Sequence, residues 1–89
     1  MKGEAPMKTG IEHIRAQFER MADLTREYLN HPHELNLFVA LNAINYLEGL
    51  AFSAMMAHKE TEKDSDIAAE MCDDAKFLRE WYYEIKLGK

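Results

Sequence analysis

The sequence predicts an all-α protein, a three-helix antiparallel bundle with helices at about 9–29, 32–58 and 65–87. Three observations lead there. The run Leu35–Ala57, LNLFVALNAINYLEGLAFSAMMA, holds one charged residue, Glu48, and its apolar residues spread round the whole helical cylinder. A helix that is apolar nearly all round needs neighbours on several sides. On each side of this run lies a stretch whose apolar residues recur every three and four positions, the spacing of a single buried helical face. Good helix formers (Ala, Leu, Met, Glu, Lys) recur throughout, and β-branched runs are absent.

Residues 1–8 read as a disordered lead, and residues 9–89 as a single helical domain. Thr9-Gly10-Ile11-Glu12 fits a capping box, in which hydroxyl and carboxylate satisfy each other's end-turn amides. Ile11, Ile14, Phe18, Met21, Thr25 and Tyr28 then form a heptad seam that Ala22 and Leu29 broaden. Glu12, Arg15, Glu19, Asp23 and Arg26 take the opposite side, with Arg15–Glu19 and Asp23–Arg26 spaced as local ion pairs. His31-Pro32-His33 ends this helix, because a residue before proline avoids α geometry. Pro32 suits the first turn of the next helix, and so short a link makes the two helices antiparallel neighbours.

Along the central helix the least apolar stripe is Asn42, Asn45, Gly49 and Ser53, with Glu48 at its edge. Gly49 costs roughly 1 kcal/mol against alanine there, which a close helix crossing would offset. The polar run Lys59–Asp66 breaks the second helix from the third, and either Thr61 or Ser65 is placed to cap the third. Ile67, Met71, Ala75, Leu78, Tyr82 and Ile85 form the third seam. Asp66, Glu70, Asp73, Glu80 and Glu84 line the other side, with Phe77 exposed among them and Trp81 at the border. Lys76, Arg79 and Lys86 flank the seam, and Gly88 is suited to the position just past the last turn.

Composition narrows the function classes. A chain of 89 residues buries roughly 60–65% of the surface its unfolded state exposes, and small domains often cover that shortfall by oligomerising. The central helix has more apolar circumference than two amphipathic helices cover. A homodimer is therefore expected, with Asn42, Asn45, Gly49 and Ser53, or the side carrying Leu47, at the contact. The net charge of −5 argues against direct nucleic-acid binding, which needs a basic footprint. Asn36, Asn42, Asn45, Glu48 and Ser53 argue against a membrane span. A single cysteine, Cys72, leaves no intrachain disulfide, and no secretory signal is visible, so the expected location is cytoplasmic.

No catalytic or nucleotide-binding motif occurs, and the expectation is a non-enzyme without a cofactor. The leading reading is a protein-interaction module. Its acidic–aromatic third helix, with Glu70, Asp73, Phe77, Glu80, Trp81 and Glu84, would engage a basic surface of a partner protein, and Glu60, Glu62 and Asp64 extend the acidic stripe. A narrower version is a regulator of phage or plasmid type that inhibits a nucleic-acid enzyme by filling its basic groove. The competing reading is a bundle that holds a ligand or metal, with a polar site around Glu48 and Asn45 or around His58 and Glu62, the last pair lying one turn apart if the second helix runs on. His31, His33 and Glu34 offer further imidazole and carboxylate groups, but the Glu-x-x-His pattern of di-iron bundles is missing. Glu48 needs a partner, expected from the first helix or from a second subunit. Asp73 and Asp74 beside Cys72 are expected to disfavour its thiolate.

Overall fold

The computed structural model describes residues 10–58 and 61–88, and they form three helices: α1 (Gly10–Asn30), α2 (Glu34–Ala57) and α3 (Glu62–Lys86). The all-α three-helix bundle expected from the sequence is the architecture observed. α2 packs against both α1 and α3, which touch each other less. The expected disordered lead and the Thr9 end of the capping box lie outside the described residues.

The link after α1 is three residues, His31-Pro32-His33. Its backbone is held by the Asn36 amide, which donates to the His31 carbonyl at 2.8 Å. α2 begins at Glu34, two residues later than the proline rule places it. His33 is extended (φ −127°, ψ 174°) and its carbonyl accepts from Leu37 N–H at 2.8 Å, so His33 caps the helix and Pro32 stands outside it. α3 begins at Glu62, three residues before the expected start, because Thr61 is the cap. Thr61 Oγ1 accepts from the Asp64 amide at 3.0 Å, and Glu62 and Asp64 occupy the first turn, where the helix dipole favours acids. α3 ends as expected: Gly88 lies just past it at φ 73°, in the left-handed region that glycine enters without steric cost.

One core joins all three helices. α1 contributes Ile11, Phe18, Ala22, Thr25 and Leu29, while Ile14, Met21 and Tyr28 are only partly buried. The buried stripe is therefore rotated from the predicted seam toward Ala22 and Leu29, since α1 meets two neighbours rather than one. Thr25 is fully buried, and its hydroxyl donates to the Met21 carbonyl one turn back at 2.8 Å, so the core holds no unsatisfied polar side chain among the described residues. α3 buries Ile67, Ala68, Met71, Ala75, Leu78 and Tyr82, the expected seam with Ile85 at its margin.

α2 buries Ala40, Ala43, Ile44, Leu47, Ala51 and Ala54. Alanine dominates this inner face, which lets α1 and α3 come close. Leu35, Phe38, Tyr46, Phe52 and Met56 point away from it and are exposed, and Met55 is exposed at the border with α3. α2 is also long and apolar enough to cross a membrane, with a mean hydropathy of 1.3 in its most apolar window and a third of that window buried in the bundle.

Candidate functional site

Two surfaces gather the residues that the sequence singles out. The first is the outer face of α3. Successive helical residues advance by 100°, so Asp66, Glu70, Asp73, Phe77, Glu80, Trp81 and Glu84 fall on one side of it. The structure leaves Glu70, Asp73, Glu80 and Glu84 exposed on that side and half-buries Trp81. Phe77 is 61% exposed. The Phe77 and Trp81 rings meet at 6.3 Å between centroids, tilted by 53°, a favourable aromatic geometry. With Glu80 and Glu84 they line an open groove of about 270 Å³. All six predicted residues share the face, though four of them form the groove. Glu70 lies toward α1, where its carboxylate is 3.8 Å from Arg15. Glu62, in the first turn, falls on the same side, but Asp64 falls on the opposite side of α3 and is half-buried, so it does not extend the stripe as expected; Glu60 lies outside the described residues.

The second surface is the outer side of α2 and its boundary with α3. Asn42, Asn45, Gly49 and Ser53 are exposed there. Leu47 is not on it: the side chain is 0% exposed and belongs to the core of the single chain, so it has no surface to give a second subunit. Gly49 also departs from expectation. A Cβ at that position would meet nothing within 4 Å, so no helix crosses close to Gly49 inside the bundle.

Glu48 finds its partner on α3 rather than on α1. Arg79 grips it with two parallel hydrogen bonds, Nε to Oε2 at 2.5 Å and an η nitrogen to Oε1 at 2.8 Å. The same guanidinium donates to Asn45 Oδ1 at 2.6 Å and to the Tyr83 hydroxyl at 3.1 Å, and stands 5.8 Å from the Tyr83 ring centre. The hydrogen bonds from Arg79 to Glu48 are the main reason that the guanidinium holds its proton more tightly than an ordinary arginine. Four side chains thus form a closed cluster at the rim of α2 and α3. Spacing alone places Arg79 beside the α3 seam but does not say which neighbour it meets.

A cleft of about 250 Å³ opens next to this cluster, lined by Glu48, Ala51, Phe52, Cys72, Ala75, Lys76 and Arg79. Its walls are mostly apolar, the charge of Arg79 is committed to Glu48, and Lys76 is the remaining charged side chain of the lining. Cys72 stands at its edge with Sγ 3.7 Å from Met55 Sδ. Burial pushes the Cys72 thiol above its usual range, and Asp73 adds to the effect. The thiolate is disfavoured as expected, but burial outweighs the neighbouring carboxylate.

The His58–Glu62 pair loses its one-turn spacing. α2 ends at Ala57 and α3 starts after Thr61, so His58 and Glu62 are not on one continuous helix. His58 instead packs over the start of α1, where a Cβ on Gly10 would stand 2.7 Å from its Cε1. Among the described residues, no three or more His, Cys, Asp or Glu side chains are grouped to hold a metal ion. No protein-family model, no curated protein and no solved structure matches the chain.

Proposed function

We propose that the chain is a non-enzymatic helical interaction module. It pairs with a second copy through the outer face of α2 and presents the acidic–aromatic face of α3 to a basic surface on a partner protein. The observation that supports the partner face is the Phe77–Trp81 pair framed by Glu80 and Glu84. An aromatic anchor inside a ring of like charge has the makeup of an interaction hot spot, where the apolar centre supplies affinity and the charged rim supplies steering. The narrower form, an inhibitor of phage or plasmid type, adds that the acidic stripe occupies the nucleic-acid groove of its target enzyme. Its support is size, acidity and helicity.

The test is co-purification from the source cell, comparing the native chain with the double variant Asp73→Lys, Glu80→Lys. A partner recovered at low salt, lost above roughly 0.5 M salt and lost with the variant supports the reading, because exposed charges are screened beyond a Debye length of about 3–10 Å. Unchanged recovery with the variant removes the α3 face from the reading. For the inhibitor version, addition of competing DNA or RNA releases the partner from the chain; a complex indifferent to both eliminates that version.

A further inference from the structure

The exposed residues of α2 are ordered. Leu35, Phe38, Asn42, Asn45, Gly49, Phe52 and Met56 succeed one another by three and four positions, and all seven are exposed. That is the spacing of a coiled-coil seam, apolar at its two ends and polar or small in its middle; no other helix among the described residues covers it, and it lies on the side opposite the alanine-rich inner face. The seam reads nearly the same from either end. Large apolar residues stand at both ends (Leu35 and Phe38, Phe52 and Met56), polar or small ones in the middle (Asn42 and Gly49), and Asn45 at the centre.

We propose that the occupant of this face is a second copy of the chain running antiparallel, with the twofold axis beside Asn45. The inference rests on the self-association reading above and specifies its direction and register. In this arrangement Leu35 faces Met56 of the other copy, Phe38 faces Phe52, and Asn42 faces Gly49. The Asn42 side chain fills the space that the missing Gly49 side chain leaves open. A parallel pair would set Gly49 against Gly49, leaving a gap, and would align the two helix dipoles unfavourably.

Area and polarity both favour a second copy. The four large seam residues, Leu35, Phe38, Phe52 and Met56, are each more than half exposed. With roughly 150–250 Å² for each aromatic and somewhat less for Leu and Met, the four leave on the order of 400 Å² uncovered per protomer. With the intervening Asn, Gly and Ser positions the face approaches the ~800 Å² per partner of a stable specific interface. A lipid surface or a wholly apolar partner would strand the Asn42 and Asn45 amides. In the antiparallel register a copy of the same seam brings the two Asn45 amides to the same level beside the axis, while Asn42 lies opposite Gly49. Asn45 already gives its carbonyl to Arg79, which turns its N–H groups toward an outside acceptor. Charge offers no obstacle, because Glu34 and Glu48 are the acids of α2 and Arg79 neutralises the second.

Cross-linking tests the register in the full chain carrying Cys72→Ser, which removes the only native cysteine. Asn42→Cys and Gly49→Cys are made separately; together they conserve the volume of the Asn–Gly layer, and the space at Gly49 accepts the new side chain. Solution mass is measured first by light scattering at tens of micromolar, with helicity confirmed by circular dichroism. The expected result is a dimer that forms disulfide-linked pairs at least tenfold more readily when the two variants are mixed than when either is alone, since a disulfide needs Cα atoms within about 7 Å. A dimer in which each single variant cross-links to itself is parallel and overturns the register while leaving self-association standing. A dimer with no cross-link in any combination overturns α2 as the contact. A monomer overturns both, and a monomer that sediments with phosphatidylcholine vesicles assigns the face to lipid.

Discussion

Arg79 shows how much one side chain can settle. It binds Glu48 through two hydrogen bonds and also reaches Asn45 and Tyr83, tying the middle of α2 to the last turns of α3. The pair is partly exposed, with side-chain exposures of 26% for Arg79 and 40% for Glu48, so solvent screens much of its attraction. A double-mutant cycle with Arg79→Met and Glu48→Gln is expected to give a coupling of about 1 kcal/mol in urea unfolding, well under the value of a buried pair. The need for a partner at Glu48 is legible in the sequence, since a lone carboxylate on an apolar helix requires one. Its identity is not, because that depends on how far α3 is rotated about its own axis, and Lys76, which lines the same cleft, is a cation of the same helix that spacing alone does not set apart from Arg79. Cys72 gives a second residue-scale test. With its thiol raised by burial and by Asp73, it reacts with a chromogenic disulfide reagent more slowly at pH 8 than free cysteine does, and Asp73→Asn speeds the reaction as the thiolate becomes easier to form. A rate equal to that of free cysteine would contradict the burial argument.

At the scale of whole helices, the ends depend on single hydrogen bonds. Thr61 accepts from the Asp64 amide and starts α3, whereas Ser65 lies inside the helix and has no capping role. Thr61→Ala is expected to lower stability by about 1 kcal/mol, and Ser65→Ala to change it by roughly half that or less, both read from urea midpoints at constant slope. Equal losses would mean that the cap is misassigned. Both residues are legible as candidates from sequence; the choice between them is a matter of one backbone geometry. The amphipathic stripe of α3 is legible almost residue by residue, because an apolar position every third or fourth residue has one way to be buried, whereas that of α1 is legible only to within a rotation that leaves Ile14, Met21 and Tyr28 partly buried. α2 is the harder case. Its pattern is apolar on all sides, so periodicity cannot say which side turns inward. The answer is steric: the alanine-rich side approaches α1 and α3, taking Ile44 and Leu47 with it, and the Phe38–Phe52 side is left out. Leu47, expected at a dimer contact, is therefore core, and Leu47→Ala is expected to cost about 2–5 kcal/mol by opening a cavity.

For the molecule as a whole, the two exposed faces differ in physics and should respond differently to the same perturbation. The α2 seam is apolar at both ends, and the α3 face sets the Phe77–Trp81 pair beside the carboxylates of Glu80 and Glu84. Raising salt from about 0.05 to about 0.5 M shortens the Debye length severalfold and weakens contacts between exposed charges, but leaves apolar burial intact or strengthened. Self-association is thus expected to persist through the titration while partner binding falls away. Substitution should separate the faces in the same manner. Phe38 is 62% exposed and lies outside the core, so Phe38→Glu leaves the far-UV circular dichroism of the bundle unchanged. In the proposed symmetric pair it would act twice, removing two aromatic contacts and placing two carboxylates against apolar side chains. If each copy forfeits about 1.5–3 kcal/mol of burial, the dissociation constant rises by at least about a hundredfold, since each 1.4 kcal/mol is a factor of ten. Sedimentation velocity at tens of micromolar then reports a monomer for Phe38→Glu and a dimer for the Asp73→Lys, Glu80→Lys variant, whose changes sit on the other face. Loss of the dimer in the α3 variant, or its survival in Phe38→Glu, would mean that the two faces do not divide the work as their chemistry implies.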